Sequence, residues 1–197
     1  MQTLNRTLAG TRRFTVDEYY QIGKAGIFAD TERTELNDGV IYSMPSAGPL
    51  HTAIVHFIFL YLLETLNKQK VAVRMEQPLH IDEYNEPVPD VMVARADSQG
   101  YSDAHPTPAD VLALVEVADS GLDKDLKIKS ELYARAGVGE YWVVDVNARR
   151  VHKFTQPNLN RYADEVVFDE QASTDFTQVE IQIGRFFGAG PSLANPQ

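Results

Sequence analysis

Val111-Leu-Ala-Leu-Val-Glu-Val-Ala118 is the stretch whose reading decides the fold. Every residue but Glu116 is apolar. The run reads as a central strand covered on both faces. Downstream, a helix is predicted over Asp123 to Arg135, stopped at Gly137. Glu140-Tyr-Trp-Val-Val-Asp-Val146 follows as a second strand, and Val151-His-Lys-Phe154 pairs with it. A strand, helix, strand crossover therefore sits around Asp123 to Arg135.

Upstream, Val88-Pro-Asp-Val-Met-Val-Ala94, Val71-Ala-Val-Arg-Met75 and Leu79-His-Ile81 are strand candidates. A helix is predicted from about Leu50 to Asn67, with apolar residues around nearly its whole circumference, so it should be buried on most sides. His56 would then be a satisfied core histidine. Thr15 and Glu18 form a capping-box pattern that opens a short helix through Ile22. Asp38-Gly39 between two strand-like runs predicts a hairpin, because a type I′ turn needs positive φ at both positions. Alternating Val179, Ile181 and Ile183 suggest a final edge strand. Taken together, the pattern is a mixed α/β protein.

The chain has 197 residues, 44% of them hydrophobic and 23% charged, which suits one domain with a real core. The expected organisation is a flexible segment over 1–13, a single domain over 14–187 and a flexible tail over 188–197. With no cysteine, disulfides and thiolate ligands or nucleophiles are excluded. That suits a reducing cytoplasm. The N-terminus lacks the apolar core of a secretory signal, and the run Ala53 to Leu63 is too short to span a bilayer. The formal net charge of −10 opposes phosphate-driven nucleic-acid binding, which then calls for a local basic patch and bridging metal ions.

Glu116 is the most informative residue. Burying a lone carboxylate costs several kcal/mol, so it is neutralised, ion-paired or metal-bound. Strand alternation places it on one face with Leu112, Leu114 and Ala118. Asp90 stands at the mouth of the short strand Val91 to Ala94. On a helical wheel of about 100° per residue, Lys129 falls within an apolar stripe of Leu122, Leu126, Tyr133 and Ala136, with Asp125 beside it. Lys127 and Glu131 point away by about 160°. An inward Lys129 needs a carboxylate partner, and Glu116 is a short loop away; the alternative is a stem laid on the core with its head in water. Glu35, in the first hairpin strand, is either a further site acid or an exposed strand residue. Tyr141 and Trp142 read as core and interface residues.

These residues together resemble the PD-(D/E)XK nuclease superfamily and, within it, the Uma-type family of bacterial endonuclease-like proteins. The resemblance covers about Phe14 to Phe154. It runs through Glu35-Leu-Asn-Asp-Gly39, Pro45 to His51, Pro89-Asp-Val91, Val115-Glu-Val117, Asp125 to Lys129, Tyr133-Ala-Arg-Ala-Gly-Val138 and Glu140-Tyr-Trp-Val-Val-Asp145. It implies a restriction-endonuclease-like mixed sheet flanked by helices, with Asp90 and Glu116 as metal ligands, the carbonyl of Val117 as a further one, and Glu35 as an additional acid. His51 would be a phosphate contact or would support a ligand, as would Asp125. In the superfamily a lysine usually stands two residues after the second acid, where this chain has Ala118. The Uma-type pattern moves it to the following helix, at Lys129.

The implied activity is a magnesium- or manganese-dependent endonuclease acting on DNA, with a homodimer as the simplest way to cut both strands. Oxygen ligands favour such hard cations. Two rivals stand beside it. One is a catalytically silent nuclease-like protein that acts by binding a partner, favoured by Ala118 and the net charge. The other is a phosphodiesterase for small nucleotides, which needs no basic groove.

Overall fold

The computed structural model describes residues 11–29, 31–44, 46–66 and 71–188. The expected flexible ends lie mostly outside these residues. The chain forms two compact units, Met1–Pro45 with His80–Pro87, and Ser46–Leu79 with Val88–Gln197.

In the smaller unit, α1 (Val16–Lys24) starts at Thr15, whose hydroxyl accepts the Glu18 amide while the Glu18 carboxylate accepts the Thr15 amide. The helix runs two residues past the predicted end. β1 (Arg33–Asn37) and β2 (Val40–Met44) pair antiparallel around Asp38 and Gly39, with φ of 50° and 73°. That is the turn the Asp-Gly pair predicts. Leu36 and Glu86 exchange backbone hydrogen bonds, so the segment around Glu86 lies along β1. Leu79-His-Ile81 is not a strand. Asp82 accepts the Tyr84 amide and the Asn85 side chain, both at 2.8 Å, and this local capping turns the chain before a ladder can form.

The larger unit is built on six strands: β3 (Val71–Met75), β4 (Val91–Arg95), β5 (Val111–Ala118), β6 (Glu140–Asp145), β7 (Arg150–Asn158) and β8 (Arg161–Asp169). They lie in sequence order across the sheet, with only β5 and β6 parallel. One face of β5, Ala113, Val115 and Val117, packs with Ile54, Val55, Ile58 and Leu62 of α2 (Pro49–Thr65) and with Trp142 and Phe186. The opposite face meets the crossover.

That crossover differs from the prediction. Lys124–Lys129 is a π-helical turn, and only Ser130–Arg135 (α3) is α-helical. The Ser130 amide reaches back five residues to the Asp125 carbonyl. The edge strand β8 was not predicted, because its Arg161, Asp164, Glu165 and Asp169 mask any apolar alternation. Edge strands tolerate such charges. Val179 and Ile181 belong to β10 (Val179–Gln182), which pairs only with β9 (Ser173–Phe176) in a separate hairpin, and Ile183 begins a 3-10 turn.

α2 is covered on one side only. Leu50, Phe57 and Leu60 are exposed, and so is His56, which is therefore not a core histidine. An all-apolar circumference records composition, and the number of neighbours available decides burial. The predicted helix end at Asn67 lies outside the described residues. Among the described residues no helix is long and apolar enough to cross a membrane.

Gly39 holds the hairpin at positive φ, and a Cβ there would sit 2.5 Å from the Cβ of Arg13. Gly39→Ala therefore combines an unfavourable φ with a clash. Urea denaturation should show a loss above about 1 kcal/mol. Unchanged stability would mean that this turn does not hold the hairpin.

Candidate active site

Strand alternation turns Glu116 away from α2 and toward the crossover, where its carboxylate is almost fully enclosed. Lys129 donates from Nζ to Glu116 Oε1 at 2.8 Å, and the Tyr133 hydroxyl donates to the same oxygen at 2.8 Å. Lys129 is 6% exposed, so the snorkelling alternative fails and the inward, carboxylate-paired reading holds. Lys127 is exposed and pairs with Asp123. The wheel used an α-helical period on a π turn, yet four residues are close to one turn in either geometry. Asp125 and Lys129 thus both remain inward.

Burial pushes the Glu116 carboxyl from the ordinary 4.5 up to about 8; Lys129 pulls it back down, while Asp90 and Asp125 add to the rise. Asp125 is buried, and its backbone carbonyl accepts the Tyr141 hydroxyl at 3.0 Å. Tyr141 and Trp142 are fully buried, as expected of core residues.

Asp90 precedes β4 and is fixed by β5, since the Val117 amide donates to its Oδ2 at 2.7 Å. Its Oδ1 lies 3.3 Å from Nε2 of His51, in the first turn of α2. Hydrogen bonding to Asp90 raises the His51 pKa against the opposing effect of burial, helped by the charge of Asp90, the Val117 backbone and Glu76. The structure therefore gathers Asp90, Glu116, Val117, Lys129, Asp125 and His51 around one end of β4 and β5. Glu35 belongs to the smaller unit, where it is fully buried in β1 opposite Tyr42, so it is not an exposed strand residue. That unit buries a second acid, Glu86, which accepts hydrogen bonds from the Tyr20 hydroxyl and pairs with His80 at 3.0 Å.

Two residues escaped the sequence reading. Tyr133 stood on the predicted apolar stripe, and asking what its buried hydroxyl bonds would have found Glu116. Glu76 follows β3 with no sequence signal. Its amide donates to the Asp90 carbonyl at 3.0 Å, and only strand pairing brings it there.

A mixed sheet of this order, with one acid at the entry to β4, a second in β5 and a lysine reaching the second, resembles that of PD-(D/E)XK-like nucleases. A crystal structure of a putative nuclease of the DUF820 group from Anabaena variabilis superposes with a TM-score of 0.68 over 89% of this chain and 98% of that one, at 16% identity. No curated protein matches this chain. The family model described as "Putative restriction endonuclease", Uma2, matches residues 16–184, and the chain belongs to that family.

The Glu116 carboxyl holds its proton more tightly folded than unfolded. It therefore favours folding below about pH 4.5, and that contribution is lost as pH rises through about 8. Lys129→Met removes the principal opposing influence and should steepen this fall. Thermal melts in EDTA at pH 5.5 and 8.5 should show the variant losing several degrees more than wild type at the higher pH. Adding Glu116→Gln should flatten the profile. A Lys129→Met protein with a wild-type profile would show that Glu116 does not govern it.

Proposed function

We propose that this chain is a metal-dependent endonuclease that hydrolyses phosphodiester bonds of DNA. The observation that carries the reading is the buried convergence of Lys129 and Tyr133 on Glu116, beside an Asp90 anchored by Val117. A buried ion pair is weak evidence for stability alone, and here it sits next to a second carboxylate whose charge raises the first. Two such acids and a backbone carbonyl form an oxygen donor set that suits a hard divalent cation, magnesium or manganese. Asp90, Glu116 and the Val117 carbonyl would hold it. When bound, the cation would polarise a phosphoryl oxygen and lower the pKa of a water.

The chain's own residues supply the rest. Lys129 places an ammonium beside Glu116, where it can orient a water for in-line attack at phosphorus or stabilise charge on the phosphoryl oxygens. The attack makes one P–O bond and breaks another; the attacking water releases a proton to solvent, and the leaving oxygen takes one from it. Tyr133 holds the Glu116 carboxylate while Lys129 engages substrate. Glu35 is the further acid of the reading, and His51 and Asp125 support the carboxylates or a phosphate. A homodimer would supply a site for each strand. Ala118 and the net charge of −10 favour a second reading, a catalytically silent relative that binds a partner.

Two neighbouring lysines test the assignment. Methionine at 129 or at 127 keeps the stem and removes the ammonium. With manganese and plasmid, single-stranded DNA or nucleotides as substrates, Lys129→Met should cut at least about a hundredfold more slowly. Lys127→Met should differ only by a weak salt-dependent loss of affinity. Normal cutting by both variants would remove Lys129 from the chemistry. Wild type that cleaves none of the substrates would put the binding reading first.

A further inference from the structure

We propose that Glu76 and His51 belong to the cation site, completing with Asp90 a mixed nitrogen and oxygen donor set that takes a first-row transition ion such as Mn²⁺ in preference to Mg²⁺. The inference rests on the metal-dependent reading above and adds two ligands that reading does not assign.

One ligand atom from each of His51, Glu76 and Asp90 lies within 4.8 Å of the other two, and all three side chains are half-buried. Donors on one small cation at metal–ligand distances of roughly 2.0–2.2 Å stand about 3 to 4 Å apart, so these atoms need to close in by only about an ångström or two. Three different elements deliver them. Asp90 enters β4 and is tied by Oδ2 to the Val117 amide, which turns Oδ1 toward His51. His51 comes from the first turn of α2. Glu76 leaves β3 one position after the Met75–Val91 rung, and its amide bonds the Asp90 carbonyl. Its φ is +51°, a region that residues with side chains seldom occupy.

Charge points the same way. Lys129 gives its ammonium to Glu116 at 2.8 Å. The Asp90 and Glu76 carboxylates each bring an oxygen within 4.8 Å of the other and of the His51 imidazole. A divalent cation offsets both carboxylates and needs only a neutral imidazole, which keeps a ligand atom for it. Magnesium prefers an all-oxygen octahedron and keeps its waters. An imidazole nitrogen in the set shifts preference toward transition ions.

The test uses the full chain without nucleic acid. Manganese chloride is titrated in, and free Mn²⁺ is followed by electron paramagnetic resonance for wild type, D90N, E76Q and H51Q. Melts in EDTA establish that each variant is folded, with E76D replacing E76Q if it is not. E76Q should weaken Mn²⁺ binding at least about tenfold, the loss typical of removing a metal-site partner. H51Q should weaken Mn²⁺ but not Mg²⁺, so their affinity ratio falls. Electron spin echo spectra of wild type with Mn²⁺ should carry the modulation of one imidazole ¹⁴N, absent in H51Q and kept in H56Q. If D90N loses the ion while E76Q and H51Q bind like wild type, or if wild type shows no ¹⁴N modulation, the proposal is overturned and the metal-dependent reading stands. If D90N also binds like wild type, both fail.

Discussion

A carboxylate buried at the centre of a sheet is the constraint from which the rest of the larger unit follows. Glu116 lies in β5 between β4 and β6, with both faces of the sheet covered, and water cannot solvate it there. Two buried donors must therefore be brought to one oxygen. The crossover supplies both from one surface, Lys129 at the end of the π turn and Tyr133 one turn later. Tyr133 is in turn set by its edge-on contact with Tyr141, 5.0 Å between ring centroids, in the next strand. The polar cluster and the aromatic core thus specify each other.

The same strand couples the two acids. Val117, the residue after Glu116, turns its side chain into the α2 face and gives its amide to Asp90. Apolar packing on one face of β5 consequently fixes the position of a charge at its end. A shift of β5 by one residue would exchange the two faces and dismantle both arrangements at once.

Much of this was legible because it follows from local rules. β5 and β6 are apolar runs bounded by turn residues, and the Asp-Gly hairpin and the Thr15 capping box are short-range signals. Glu116 and Lys129 stood out as charges where only apolar side chains belong. What escaped depends on distant partners. β8 hides its inward positions among charges, and Leu79 to Ile81 has strand composition overruled by the capping chemistry of Asp82. α2 has the sequence of a buried helix but too few neighbours to bury it. Glu76 gains its place only through pairing with β4, and no pattern in the sequence records that.

The π turn carries a consequence for insertions and deletions. Its wide loop holds one residue more than an α-helical turn between the same endpoints, since the Ser130 amide reaches five residues back rather than four. Removing one residue among 124–128 would let the segment relax into an ordinary helix between the same endpoints. Lys129 would then keep close to its place, whereas one residue lost from 130–132 would swing Tyr133 by about 100° relative to Lys129 and take its hydroxyl away from Glu116. Arithmetic along the chain, as much as the identity of any side chain, keeps Lys129 and Tyr133 on one oxygen: the π turn can absorb a missing codon that the helix after it cannot.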